Sequence, residues 1–164
     1  IEFDIPKTSN LEIKKRLGKT ILILSSESGS SYLNSDGTAL DKISAEMAML
    51  LVQQNTTLTP IEAEEITSSK KGSEYRGRTL PLMKVISKNE KDKLINVYLN
   101  VYSGEVTAIR SMQWKIWDLM WGFHIMDWQE RDNIDNLFLK IFSILALVSS
   151  ISGILLFFKI DFKK

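Results

Sequence analysis

The chain has 164 residues, with 21 Lys and Arg set against 20 Asp and Glu, a net charge of +1, one histidine and no cysteine. Charges of both signs are mixed along its length, so no broad basic face forms and nucleic acid is discounted as a partner. Without cysteine there are no disulfides, thiolate metal sites or cysteine nucleophiles, and the lone His124 rules out a bis-histidine site made by one copy.

Residues 1–18 are polar and charged, with Pro6 and the basic group Lys14-Lys15-Arg16, and read as a juxtamembrane lead-in or short helix. Lys19-Thr20-Ile21-Leu22-Ile23-Leu24 is a compact β-branched run. Ser-Gly turn chemistry at 28–30 follows, then Ser31-Tyr32-Leu33-Asn34 and a second turn at Ser35-Asp36-Gly37-Thr38, which together predict a β-hairpin.

Ser44 is placed to cap a helix in which Ala45, Ala48, Met49 and Val52 recur at helical spacing, with Met47, Leu50 and Leu51 widening the stripe and an end near Asn55. Thr59-Pro60-Ile61-Glu62 has the pattern of a capping box and predicts a second, short helix to about Thr67. On that reading Glu62, Glu64 and Glu65 are accounted for by the helix dipole.

From Thr79 the period changes. Leu80-Pro81-Leu82-Met83-Lys84-Val85-Ile86 predicts a strand with Pro81 at its start or on an edge. A charged turn at 88–93, an alternating strand at 94–101, a Ser103-Gly104 turn and a third strand at 105–110 complete an antiparallel meander. Helices followed by a meander make an α+β domain spanning 19–110.

Residues 111–132 read as an amphipathic, tryptophan-rich interfacial helix. Met112, Ile116, Leu119, Met120 and Phe123 form one apolar stripe that can serve the domain. Trp114, Trp117 and Trp121 form a second stripe, with Trp128 beyond it. Indoles have an apolar body and a polar N–H, which suits the headgroup region or a partner's transmembrane helices.

Residues 141–158 carry no charge, and with 137–139 added and Lys140 snorkelling the segment 137–159 is long enough to span a bilayer. Asp127, Glu130, Arg131, Asp132 and Asp135 precede it, whereas Lys159, Lys163 and Lys164 follow against Asp161. Basic flanks favour the cytoplasm, so residues 160–164 are expected to form a cytoplasmic tail and the folded domain to face outward. Ile1-Glu2-Phe3-Asp4 offers neither a basic nor an apolar export signal, which leads to the expectation of a preceding transmembrane helix. Within the span, Ser149 and Gly153, and likewise Ala146 and Ser150, are small residues four apart that allow another helix to approach.

No phosphate loop, HExxH pair, nucleophile elbow or Ser/His/Asp set is present, so no catalytic residue is assigned. His124, with Asp127 three residues on, is expected to be structural, orienting the chain by a hydrogen bond to Asp127, Glu130 or a headgroup. The sharper alternative is axial ligation of haem b, with a second ligand from another chain, a preceding helix, Met120 or Met126. His124, Asp127, Glu130, Arg131 and Asp132 together form a membrane-proximal polar cluster, read as a helix cap and ion-pair network.

Three segments carry a family resemblance: Glu74-Tyr75-Arg76-Gly77-Arg78-Thr79-Leu80-Pro81; Val97-Tyr98-Leu99-Asn100-Val101-Tyr102-Ser103-Gly104-Glu105-Val106; and the stretch from Trp114 to Arg131 with Phe123-His124-Ile125-Met126-Asp127-Trp128 and Glu130-Arg131-Asp132. Over roughly residues 20–160 the chain resembles the membrane-tethered branch of the PepSY family, with Asn100 at the usual aspartate and Ser103 at the usual threonine of the turn. The resemblance implies a small antiparallel-sheet domain with helices on the outer side of a bacterial inner membrane. It also implies a helix before the domain and a non-catalytic accessory or binding subunit whose partners are other membrane subunits and the bilayer. The alternatives it leaves open are a component of a membrane electron-transfer or ferric-siderophore reductase system with haem at His124, and a peptidase-inhibiting domain.

Overall fold

A computed structural model describes residues 10–27 and 29–161. Residues 1–9, on which part of the lead-in reading rests, Ser28 of the first turn and 162–164 of the tail lie outside the described residues. The chain is α+β and divides into two compact units, residues 1–112 and 113–164.

Unit 1 holds two antiparallel sheets. The first has the order β1 (Asn10–Arg16), β2 (Lys19–Ser26), β3 (Gly29–Asn34). The expected hairpin is therefore present as β2 and β3, with Ile21 paired to Asn34 and Ser26 to Gly29. The lead-in expectation fails from Asn10 onward, because that segment is a strand paired along its whole length with β2. Leu17 and Gly18, at φ 49° and 81°, supply the two positive-φ residues of a tight hairpin turn that twists with its strands. Arg16 then donates to the carbonyls of Asp41 and Tyr102, so its guanidinium is spent inside the domain.

The second sheet has the order β4 (Thr59–Ile66), β5 (Leu82–Lys88), β6 (Leu94–Asn100), β7 (Val106–Arg110), a meander with Pro81 just before its second strand. Between the sheets in sequence lies α1 (Ala45–Asn55), capped as expected by the Ser44 hydroxyl, which accepts from the Met47 amide at 3.2 Å. The predicted second helix is absent: Thr59–Ile66 is β4, paired with β5 across a bulge between Pro60 and Glu62. Pairing with β5 contributes more than the one turn of helix that a capping box could start. The three glutamates are thereby relocated. Glu64 meets Lys84 of β5 at 2.7 Å and Glu65 meets Lys42 at 2.6 Å, and charged side chains on an edge strand discourage pairing with another chain.

Ala48, Leu51 and Val52 of α1 pack with Met83, Val85, Val97, Leu99 and Val101 to form the core. The β6–β7 turn is held by Asn100, whose Oδ1 accepts from the amides of Tyr102 and Ser103 at 2.8 and 3.0 Å while its Nδ2 donates to the Tyr32 hydroxyl at 3.0 Å. Tyr32 stacks on Tyr102 with ring centroids 5.1 Å apart, so the same turn ties β3 to the meander. Gly104 (φ 73°) closes it, and a Cβ there would lie 2.6 Å from Leu51.

Unit 2 contains α2 (Met112–His124) and α3 (Leu137–Asp161). The expected helix over 111–132 thus stops at His124, and residues 125–136 form a non-helical connector.

Leu99 is fully buried, and Leu99→Ala removes three heavy atoms from a core that can only partly collapse, at a cost of about 2–5 kcal/mol. Calorimetry of the chain in mild detergent should show the unit 1 transition falling by on the order of 10 °C.

Candidate membrane-proximal site

α2 ends as it does because three backbone bonds terminate it. The amide of Met126 donates to Phe123 O at 3.2 Å and that of Asp127 to Gly122 O at 2.9 Å, with Met126 at φ 56°. This is the Schellman pattern, with methionine where glycine is usual, which explains why no stop signal was legible at this point. A third bond, from the Ile125 amide to Trp121 O at 3.0 Å, completes the last turn, and Ile125 itself is buried.

The connector turns back over α2 at Gly122. A Cβ there would lie 2.9 Å from Asp127 O and 3.0 Å from Arg131 Cγ, so only glycine admits the backbone this close. Arg131, at φ 61°, lays its stem along this gap and its Nη1 donates to Asp118 Oδ2 at 2.7 Å. Asp118 is 1% exposed, the one charged side chain of the described residues buried to that degree. A carboxylate taken out of water needs such a partner.

Asp127 binds the connector from inside. One of its oxygens accepts from the Glu130 amide and the other from those of Asp132 and Asn133, at 3.0–3.2 Å. Burial acts to raise this carboxyl, but the amides of Asn133, Glu130 and Asp132 outweigh it and hold the carboxyl below the usual carboxylate value. Asn136 then launches α3: its Oδ1 accepts from the Leu139 amide at 2.9 Å, and its Nδ2 donates to Ile125 O at 2.7 Å and Asn133 O at 2.8 Å.

The predicted polar cluster is therefore divided. Asp127 and Arg131 are both in the connector but not paired with each other, and Glu130 and Asp132 contribute backbone amides to Asp127. His124 stands apart, exposed, with its ring against Trp121 at a centroid distance of 5.9 Å. The expected histidine–Asp127 bond is not made, because the carboxylate is occupied by the backbone. For haem, Met120 lies one turn before His124 on the same side of α2. Axial ligands occupy opposite faces of a porphyrin, so these two cannot serve one iron.

The tryptophans are unequally exposed. Trp117 and Trp121 stack at 6.0 Å, and Trp114 and Trp121 are half-buried. Ile116, Leu119, Met120 and Phe123 are exposed, and so is Trp117, at 58%. Trp128 lies between Phe123 at 6.2 Å and Phe138 at 6.0 Å. Asp118, Gly122 and Asn136 were not foreseen as site residues; an aspartate on a tryptophan-rich helix was the available signal for the first.

Helix α3 includes a 23-residue stretch, Leu137–Lys159, long and apolar enough to cross a membrane, and none of it is buried. Ser143, Ser150 and Ser152 return their hydroxyls to the carbonyls of Leu139, Ala146 and Val148 at 2.7–2.8 Å, which satisfies them without water. Ser149 and Gly153 are exposed, and nothing lies within 4 Å of a Cβ built on Gly153.

In unit 1, the first segment of the family resemblance is fastened to the meander through Glu74. Its Oε2 accepts from Asn96 Nδ2 at 2.8 Å and the Tyr98 hydroxyl at 3.1 Å, and its carbonyl accepts from Arg110 Nε at 2.9 Å. Burial, then the Glu74 charge, pushes the Tyr98 phenol up and keeps it a donor. Beside this network is a cavity of about 520 Å³ lined by both lysines and glutamates, among them Lys70, Lys84, Glu64 and Glu74. Among the described residues no group of three or more His, Asp or Glu is gathered to hold a metal ion. Comparison with protein-family models, with curated proteins and with solved structures finds no match.

Gly122→Ala should displace the connector at a cost of about 1–3 kcal/mol, seen as faster amide exchange over 125–136 with unit 1 unchanged. Because folding holds the Asp127 carboxyl below its unfolded pKa of about 3.9, its stabilisation is complete above that value and is lost as pH falls through the depressed one. The amide NMR signals of Glu130, Asp132 and Asn133 should therefore move together in one low-pH titration that Asp127→Asn abolishes.

Proposed function

We infer that the protein is a membrane-anchored, non-catalytic accessory or binding module of PepSY type, with its α+β domain outside a bacterial inner membrane and its C-terminus in the cytoplasm. The observation that carries this reading is α3. It offers about 35 Å of apolar helix, by residue count, to a hydrocarbon core of about 30 Å, with the hydroxyls of Ser143, Ser150 and Ser152 internally bonded and no protein covering it. Acidic residues crowd the connector before it and lysines follow it, which supports the orientation.

The binding role is supported by how side chains are used. Charges in the connector brace its backbone, and Glu74 braces the meander, so the groups that chemistry would need are occupied in structure. The small faces at Ser149 and Gly153 leave room for a helix of another subunit.

Protease added to intact spheroplasts should cut accessible sites around Tyr98 and spare residues 160–164; the reverse pattern inverts the topology. Purification in mild detergent should bring further membrane subunits with the chain, and Gly153→Leu should reduce their yield without lowering the chain's own. His124→Asn should leave the visible absorbance of that assembly unchanged. Loss of a Soret band would instead assign haem to His124 and make the assembly an electron-transfer system.

A further inference from the structure

An apolar face on α2 remains without a role. Ile116, Leu119, Met120 and Phe123 share one side of this helix and are each 40–56% exposed. The opposite requirements of α2 are met elsewhere: Asp118 and Gly122 face the connector, and Trp121 stacks with Trp117 and His124. The exposed face does not end with the helix. Phe123 meets Trp128 at 6.2 Å and Trp128 meets Phe138 at 6.0 Å, and all three rings are about half exposed. Phe138 belongs to the first turn of α3, whose apolar surface is bare along its length. One continuous apolar surface thus runs from α2 through Trp128 onto α3, within a single compact unit.

We propose that α2 is a second membrane element, lying in the bilayer interface with its Ile116/Leu119/Met120/Phe123 face in lipid and Trp128 as the junction to the spanning helix. Continuity favours lipid over a protein partner: whatever solvates Phe138 at the start of α3 also reaches Trp128 and Phe123. The face contains no charge, and the connector fixes its relation to α3 through Gly122, Arg131 and Asn136. An interfacial helix seats its apolar side about 5–10 Å into the headgroup and acyl boundary. Here that would give the chain two attachments, a span and a float. The inference rests on the membrane reading of α3.

The chain has no cysteine, so single cysteines report single positions. Nitroxide labels at Ile116→Cys, Met120→Cys, Leu147→Cys and Glu90→Cys would be read in the full chain reconstituted in phosphatidylethanolamine/phosphatidylglycerol vesicles. Labels at 116 and 120 should collide with oxygen several-fold more, relative to a water-soluble nickel chelate, than the label on the exposed turn at 90, at a depth shallower than that at 147. If they meet the chelate as freely as position 90, or are shielded from both reagents, the face is in water or under protein. The proposal then fails while position 147 still supports the span. If position 147 is also not in lipid, the anchor reading fails and the proposal with it.

Discussion

A helix of apolar side chains with no covering protein sets the terms for everything else in this chain. Burying the fourteen large exposed aliphatic and aromatic residues of α3 would contribute more than a small domain's net stability, at about 1.5–3 kcal/mol each against a total of about 5–15 kcal/mol. α3 includes a stretch long and apolar enough to cross a membrane, and the hydroxyls of Ser143, Ser150 and Ser152, each turned back to a carbonyl four residues earlier, suit such a setting. Backbone polar groups are satisfied within the helix itself, as a hydrocarbon setting requires.

The connector transmits this constraint to α2. It is short, irregular and polar, and side-chain hydrogen bonds to its backbone hold its conformation. Asp127 gathers three amides, Asn136 joins the end of α2 to the start of α3, and Arg131 neutralises Asp118 across a gap that only Gly122 leaves open. Two residues with side chains, Met126 and Arg131, hold positive φ there, a conformation costing on the order of 1–2 kcal/mol that surrounding bonds must offset. Backbone strain is thus gathered just before the stretch that is long and apolar enough to cross a membrane.

The meander is organised on a similar plan. Asn100 has an amide where the family pattern has a carboxylate, and the exchange retains the acceptor that receives two turn amides while adding a donor for Tyr32. Glu74 likewise spends its carboxylate on Asn96 and Tyr98. Two of the three segments that carried the resemblance are thus accounted for by local architecture, which is why their presence alone assigns no chemistry.

By itself the sequence determined whatever local physics enforces: the unbroken apolar run of α3, the Ser44 cap of α1, the β2–β3 hairpin, and the alternating strands of the meander. Each depends on neighbours within a few residues. Tertiary structure decided the rest. Thr59–Ile66 has a helix-start pattern but gains more by pairing with β5, and Asn10–Arg16 is a strand only because β2 lies beside it. The partner of Arg131 lies thirteen residues back, the end of α2 at His124 is fixed by a Schellman turn without its glycine, and four apolar residues of α2 are exposed. Periodicity shows that a helix has an apolar face, but only the arrangement of the other elements determines what covers it.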